Sequence, residues 1–162
     1  MAQKVKLSTI ADALKVSTAT VSLALRDSPL VAETTREKIK EQATLLGYIY
    51  NRRAASLRTS RSGIVGVVVH DIMNPFYAEI LRSIETELDK SRQTFILSNH
   101  YDSVEKQRNF LETLMQLGAD GVIMSPAIGT PASDIKLAED NRLPAVLIAR
   151  SIENAAVPVF RG

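Results

Sequence analysis

Polar and titratable side chains that could bind a small molecule follow four apolar segments in the part of the chain after residue 62. The segments 64–69, 94–98, 121–124 and 145–149 have the composition of buried strands. If these strands are parallel, their carboxyl ends meet at one edge of a sheet, where such sheets bind ligands. The side chains that we expect at this edge are those of His70, Asp71, Asn99, His100, Ser125 and Arg150.

The same residues offer little for catalysis or for a metal ion. The chain has no cysteine, which excludes thiolate zinc sites, iron–sulfur clusters and a cysteine nucleophile. His70 and His100 lack the spacing of a known metal motif, so residues at strand ends are the better interpretation and metal ligands the alternative. There is no G-x-G-x-x-G turn after a strand, no P-loop and no G-x-S-x-G elbow. We therefore expect a protein that is not an enzyme and that carries no cofactor or metal.

Charge is divided unevenly along the chain. Its 162 residues have a formal net charge of +2. Residues 1–62 hold 11 Lys and Arg against 5 Asp and Glu, a net of +6, whereas residues 63–162 hold 9 against 13, a net of −4. A basic segment joined to an acidic one indicates two units with different partners, and the partner of the first is a polyanion.

The basic segment predicts three short helices. Ser8 or Thr9 is expected to cap the first, Ser17 the second, and the third spans 33–46 and ends at Gly47. Two short helices joined by a tight turn in a basic unit satisfy the requirements of a helix-turn-helix, although a helical hairpin in any core has the same spacing. The residues on the predicted outer face of the second helix are Ala19, Ser22, Leu23 and Arg26.

From Gly63 onward, strands alternate with amphipathic helices. The first helix carries apolar residues at 76, 80, 84 and 88, Asp102 is a predicted cap for the second, and the third spans about 133–141. Four strands alternating with helices predict a parallel, doubly wound α/β domain over 63–162. The arginine-rich segment 51–62 is then a boundary, as a solvated linker or a short helix.

The chain has no run of 18 apolar residues, and its first ten residues do not have the pattern of a secretory signal. A membrane span and secretion are therefore disfavoured, and the cytoplasm is the expected compartment.

The amino-acid sequence resembles those of the lac-repressor-type (LacI/GalR) family of bacterial transcription regulators. The resemblance covers almost all of the chain. It is carried by VSTATVSLAL, which includes the family's specific V-S-x-x-T-V-S block, and by NRRAASL, DIMNPFYAEIL, LGADGVIMSPA and LPAVLIAR. It implies a helix-turn-helix DNA-binding domain over 1–50, a hinge helix over 51–62 and the first part of a periplasmic-binding-protein-like sensor over 63–162.

The resemblance also assigns roles to residues. The positions that match the family's base-reading residues are Thr18, Ala19 and Leu23. The positions that match its phosphate contacts are Ser17, Thr20, Ser22 and Asn51. In the minor-groove hinge the matching residues are Arg53, Ala54 and Leu57, and Leu57 matches the leucine that wedges into the central base step.

At the sensor, Phe76 and Tyr77 match aromatic positions that stack on effector rings in the family. Together with Asp71, Ser125 and Arg150 they form the predicted site for a sugar-like effector, in which Asp71 and Arg150 are the main hydrogen-bonding groups. Other readings stay open at two positions. Phe76 begins an apolar stripe and could belong to the core, and Asp71 could cap the turn before Asn74 and Pro75.

Four residues depart from the family pattern. Lys15 stands where Gly or Asn is common, so a left-handed backbone there would cost about 1 kcal/mol. Ala32 replaces a frequent capping Ser, at a cost of about 1 kcal/mol. Tyr50 replaces a common Pro. Leu23 replaces a polar reader, and since leucine packs on a thymine methyl but cannot bond guanine, we expect readout weighted toward shape and methyl contacts.

The sequence thus predicts a DNA-binding regulator, most simply a repressor, that acts as a homodimer on a pseudo-palindromic operator. The length is short for a two-subdomain sensor, so we expect a truncated regulator or a piece of a longer one that lacks the opposite wall of the effector cleft. Two alternatives remain: a periplasmic-type small-molecule-binding protein, and a DNA-binding fragment without an effector response.

Overall fold

The computed structural model describes residues 5–50 and 61–161. The chain divides after Arg52 into two compact units, a helical one and an α/β one. Among the described residues, no helix has both the length and the apolar character that crossing a membrane requires.

Three helices form the N-terminal unit within residues 5–50: α1 (Leu7–Leu14), α2 (Thr18–Ala24) and α3 (Glu33–Leu45). All three contribute apolar side chains to one small core, as the predicted periodicity requires. The buried members of this core are Ile10, Ala11, Val21, Ala24, Val31, Ile39 and Ala43.

The helix starts agree only in part with the predicted caps. Ser17 caps α2 as expected, because its hydroxyl accepts a hydrogen bond from the Thr20 amide at 3.0 Å. Ser8 and Thr9 do not cap α1, which begins earlier, with Lys6 as its N-cap residue. Thr9 lies inside the first turn, and its hydroxyl accepts from the Lys6 amide at 3.4 Å. Ala32 precedes α3 without a side-chain cap, as predicted.

The turns after α1 and α3 both use left-handed backbone. Lys15 ends α1 with φ 54° and ψ 41°, the conformation that the sequence predicts to be costly for lysine. Gly47 follows α3 with φ 67°, where glycine meets no such penalty.

The described part of the second unit contains five parallel strands, in the order β2-β1-β3-β4-β5. The strands and helices are β1 (Ile64–Val69), α4 (Pro75–Lys90), β2 (Thr94–Asn99), α5 (Val104–Leu117), β3 (Gly121–Met124), α6 (Ala132–Asp140), β4 (Ala145–Ile148) and β5 (Val159–Phe160). The predicted doubly wound parallel α/β fold is confirmed. The expected four strands are joined by a fifth, the two-residue β5 beside β4.

Helices cover both faces of this sheet. Val67 and Val69 of β1 pack with Tyr77 of α4 on one face, and Val68 packs with Leu114 of α5 on the other. The helix on the second face lies so close to β1 that a Cβ added at Gly66 would lie 2.1 Å from a Leu114 methyl. Any larger residue at this point would therefore require the Leu114 side chain to move.

Two expectations for the helices of this unit are wrong. Ser103, not Asp102, caps α5, because its hydroxyl accepts from the Lys106 amide at 3.2 Å. Phe76 does not begin a buried stripe along α4, since its side chain is 45% exposed. Residues 80, 84 and 88 of the same stripe are half-buried.

Candidate functional site

The first turn of α2 presents a small, polar surface to solvent. Thr18 and Ala19 are exposed, and so is Ser17, whose hydroxyl lies 2.8 Å from that of Thr20. The bond between Ser17 and Thr20 holds this turn in place. A helix N-terminus with exposed small residues and unpaired amides fits into a DNA major groove and against phosphates.

The outer face of α2 is narrower than the sequence predicts. Leu23 packs partly against the helical core, and Ser22 is half-buried. The backbone carbonyl of Ser22 accepts a hydrogen bond from Arg26 Nε at 3.1 Å, which folds the Arg26 side chain back along the helix. The exposed members of the predicted base-reading set are therefore Thr18 and Ala19.

Basic residues of α3 hold the loop that follows α2. Lys40 forms an ion pair with Asp27, and Arg36 Nη1 donates to the Ser28 carbonyl at 3.1 Å. Asp27 has φ 59°, a backbone conformation that Asp adopts more readily than most residues. Part of the unit's positive charge thus stabilises its own fold. Four predicted DNA contacts, Asn51, Arg53, Ala54 and Leu57, lie outside the described residues.

The predicted effector residues are near the carboxyl ends of the strands but do not form one surface. Asp71 Oδ1 accepts from the Met73 amide at 2.9 Å, so this carboxylate holds the turn before α4. Phe76 is exposed beside Tyr77, with their rings edge to face at 5.1 Å. Tyr77 itself is only 5% exposed, and its hydroxyl lies 2.8 Å from that of fully buried Ser125. Tyr77 and Ser125 are therefore brought together, with each other as hydrogen-bond partners.

Asp102 is the residue at this edge that sequence reasoning missed. Its Oδ1 accepts from the Ile128 amide at 3.2 Å and from Arg150 Nη1, which also donates to the Pro126 carbonyl at 3.2 Å. Its Oδ2 lies 3.2 Å from His70 Nδ1, without hydrogen-bond alignment. Asp102 thereby links segments that follow β1, β2, β3 and β4. In the sequence, Asp102 stands before a helix, where an Asp is most simply interpreted as a capping residue, so this role was not predicted.

Electrostatics keep Asp102 ionised. Burial raises the pKa of its carboxyl, but the hydrogen bonds from Arg150 and Ile128 and the positive charge of Arg150 outweigh burial, so the pKa lies below its usual value. Burial is the largest influence on His100 and lowers its pKa, against smaller opposing effects of Ser125 and Asp102. His100 is thus held neutral.

His70, His100 and Asp102 lie close together, but two of the three have other partners for their ligand atoms. Their ligand atoms lie within 4.8 Å of one another. Both nitrogens of His100 are used, however, since Nδ1 accepts from the Asp102 amide at 2.9 Å and Nε2 lies 2.7 Å from the Ser125 carbonyl. The Arg150 guanidinium also competes for Asp102. The strand-end interpretation of His100 therefore fits better than metal binding.

A cleft of about 810 Å³ opens beside Arg150, between the loop 126–132 and the segment 149–154. Fully buried Gln107 holds the loop, because its Oε1 accepts from the Ala127 amide at 2.7 Å and its Nε2 donates to the Thr130 hydroxyl at 2.9 Å. The cleft thus has a wall that a buried side chain holds in place and a charged group, Arg150, in its lining, both of which are features of small-molecule sites.

Comparison with known proteins places this geometry in a family. Residues 6–51 match the family described as "Bacterial regulatory proteins, lacI family". Residues 62–161, more than half of the chain, match "Periplasmic binding proteins and sugar binding domain of LacI family". The chain belongs to the LacI family.

Its relatives in the LacI family include named regulators. The maltose regulon regulatory protein MalI of Escherichia coli is 31% identical over 151 residues, which are 93% of this chain and 44% of that protein. The ribose operon repressor of Bacillus subtilis is 32% identical over 90% of this chain and 44% of its own length. MalI of Vibrio furnissii is 33% identical over 74% of this chain and 87% of its own. The chain thus spans less than half the length of the first two.

Solved structures agree in fold. The lac repressor dimer bound to operator and the anti-inducer ONPF matches 98% of this chain and 48% of its own, with a TM-score of 0.74 and 23% identity. A LacI-family regulator from Silicibacter pomeroyi matches 97% of this chain and 47% of its own, with a TM-score of 0.78 and 24% identity. At such identities the likeness establishes the fold, a helix-turn-helix unit followed by a parallel α/β unit.

Proposed function

We propose that this chain is a sequence-specific DNA-binding regulator that represses transcription as a homodimer on a pseudo-palindromic operator. The observation that carries the proposal is the Ser17-capped first turn of α2, with Thr18 and Ala19 exposed. A dimer would place two copies of this turn in successive major grooves. The family membership and the net charge of +6 over residues 1–62 support the same function.

The predicted DNA contacts fall into two groups, those to base edges and those to phosphates. Base edges would be read by Thr18 and Ala19, and by whatever part of Leu23 the core leaves accessible. Phosphate contacts from Ser17, Thr20, Ser22 and Asn51 would set register and supply salt-dependent affinity without sequence information.

The α/β unit would respond to an uncharged or charged sugar-like effector that shifts the equilibrium between DNA-binding and released states. The cleft beside Arg150 supports this role, with Asp71 and Phe76 as further candidates. Such a regulator would be organised as domains over 1–50, 51–62 and 63–162. It would catalyse no reaction and would work in the cytoplasm, where bacterial operators are.

Selection of bound DNA from a random pool tests the proposed function directly. We expect enrichment of a two-fold-symmetric site without a required guanine opposite Leu23, since leucine cannot accept or donate a hydrogen bond to that base. Repeating the selection with ribose, sucrose or maltose, the sugars named for relatives, tests effector control. If no sequence is enriched, the proposed function is wrong.

A matched pair of variants localises the readout. Thr18→Ala removes a hydroxyl from the exposed turn and should weaken binding to the selected site about tenfold, in the range of one base contact. Thr44→Ala removes an exposed hydroxyl near the end of α3, where it bonds the Lys40 carbonyl, and should leave affinity within twofold. Equal losses from both variants would contradict the assignment of α2 as the recognition helix.

A further inference from the structure

The ion pair between Arg150 and Asp102 bears on what kind of ligand the α/β cleft can accept. Arg150 borders the cleft, and its side chain is 33% exposed. Nη1 is occupied by the Asp102 carboxylate and the Pro126 carbonyl. In the described part of the chain, Nε and Nη2 of Arg150 have no hydrogen-bond acceptor. The guanidinium therefore keeps donors for a ligand, while the Asp102 carboxylate offsets part of its positive charge.

Asp102 is held in place independently of Arg150. Tyr101 and Asp102 are consecutive residues with φ of 50° and 59°, a conformation that costs energy outside glycine and persists where surrounding contacts impose it. The Asp102 amide donates to His100 Nδ1 at 2.9 Å, and its carboxylate accepts from the Ile128 amide. The Asp102 backbone is thus held by contacts that do not involve Arg150, and its carboxylate has a second partner in the Ile128 amide.

The other charges around the cleft also balance. Arg161 and Glu153 line it together with Arg150, and Asp102, which is not part of the lining, is ion-paired with Arg150. With Asp102 included, two arginines are matched by two carboxylates. Arg161 Nη2 donates to the Ser151 hydroxyl at 3.0 Å, a neutral partner. A cleft with balanced charge offers hydrogen bonds but little net attraction for an anion.

We infer that Asp102 is a positioning and specificity-determining residue, which orients Arg150 and offsets its charge so that the cleft selects an uncharged polyhydroxy ligand over its phosphorylated form. This inference rests on the proposed function, in which the cleft takes a small effector. An arriving phosphate would meet the Arg150 cation together with a fixed carboxylate a few ångströms away, and like charges at such distances repel strongly where water is partly excluded. Hydroxyl groups do not meet this repulsion.

Removal of the carboxylate charge tests the inference on the whole 162-residue chain. Asp102→Asn keeps an oxygen for the Ile128 amide but leaves Arg150 uncompensated. With inorganic phosphate as the probe and the backbone amide signals of the loop 126–132, which lines the cleft, as the NMR readout, we expect Asp102→Asn to bind phosphate about tenfold more tightly than the unmodified chain. The double variant Asp102→Asn/Arg150→Gln should lose that gain.

Glu105→Gln is the matched control. It removes one negative charge three residues further along the chain, from an exposed side chain in the first turn of α5 that does not line the cleft. Phosphate affinity should stay within twofold of the unmodified chain. An equal gain from Glu105→Gln, or no gain from Asp102→Asn, would overturn the inference.

Ribose and ribose 5-phosphate extend the test to a sugar pair. The unmodified chain should not bind ribose 5-phosphate more tightly than ribose, and Asp102→Asn should shift the ratio toward the phosphate; tighter binding of ribose 5-phosphate by the unmodified chain would overturn the inference. If ribose binds too weakly to measure, the affinities of Asp102→Asn and of the unmodified chain for inorganic phosphate still test the inference. None of these measurements involves DNA, so failure here is distinguishable from failure of the proposed regulator function.

Discussion

The hydroxyl pair of Tyr77 and Ser125 joins α4 to the end of β3 inside the α/β unit. Both residues are nearly inaccessible, and their oxygens lie 2.8 Å apart. A buried hydroxyl without a partner costs more free energy than a satisfied one contributes. The pair therefore stabilises the position of α4, and with it the exposed Phe76 at the start of that helix.

Tyr77→Phe should lower the free energy of unfolding of the α/β unit by about 1–3 kcal/mol, because Ser125 would keep a buried hydroxyl without its partner. Denaturant titration measures the change. In the double variant Tyr77→Phe/Ser125→Ala the losses should be less than additive by about 1 kcal/mol. Fully additive losses would show that the two hydroxyls do not interact.

Acidification should destabilise the α/β unit through His100. Burial lowers the pKa of this imidazole in the folded state, below its ordinary value of 6.5. As pH falls below about 6.5, the unfolded chain takes up a proton that the folded state does not, so stability declines until pH reaches the lowered pKa. The neighbouring groups His70, Asp102 and Arg150 are the charges that act on it.

The measurement is the free energy of unfolding at pH 7.5 and 5.5. The His100 contribution to the loss is bounded by about 1.4 kcal/mol for each pH unit below 6.5. His100→Gln should reduce the decline by that contribution. An unchanged decline in His100→Gln would disprove the assignment.

At the scale of elements, the helix-turn-helix was predictable because its signals are local. Ser17 caps α2 through a bond to an amide three residues away, and Lys15 takes the left-handed turn at the place expected. What local signals did not indicate is the partial burial of Leu23, which depends on the packing of α2 against the other helices.

Lys15→Gly should raise the stability of the helical unit by about 1 kcal/mol, because glycine adopts φ 54° without the penalty of a Cβ. Lys38→Gly, at an exposed position inside α3, should lower it by about 1 kcal/mol. Hydrogen exchange of the amides in α1 to α3 reports both changes. Destabilisation by Lys15→Gly would mean that the lysine side chain contributes more than its backbone strain costs.

Strand β5 marks the limit of element prediction in the α/β unit. Val159 and Phe160 are two residues with exposed side chains, too few for a period to be recognised. They form a strand because β4 supplies a parallel partner, with the Leu147 amide donating to the Pro158 carbonyl at 2.8 Å. The four longer strands were predictable from their apolar runs, which burial within the sheet requires of β1, β3 and β4. β2 has such a run as well, although it lies at the end of the strand order and none of its residues is buried.

For the whole molecule, the uneven charge accords with two different partners. The acidic excess over residues 63–162 would disfavour contact of that unit with DNA, while the basic excess over 1–62 favours it. Charge attracts any DNA, so it contributes to specific and non-specific binding alike. The difference in affinity between the two should therefore come from contacts that depend on DNA shape rather than on charge.

Leu57→Ala should weaken binding to the selected operator far more than binding to random DNA. The predicted wedge acts where the central base step unstacks, and a neutral side chain does not change the phosphate contacts that dominate non-specific binding. Gel-shift titrations on both DNAs give the ratio, and Arg58→Ala, which removes a positive charge from the same segment, should weaken both. Equal losses in Leu57→Ala would disprove the wedge.

The sequence by itself determined the order and type of the main elements, the helix-turn-helix, the parallel α/β layer and the division of charge. These follow from spacing and composition within a few residues. Only the tertiary structure decided what the strand-end residues do. Asp102 and Arg150 are 48 residues apart in the chain, as are Tyr77 and Ser125, and each pair meets because parallel strands bring distant carboxyl ends to one edge. Such partners have no local signature.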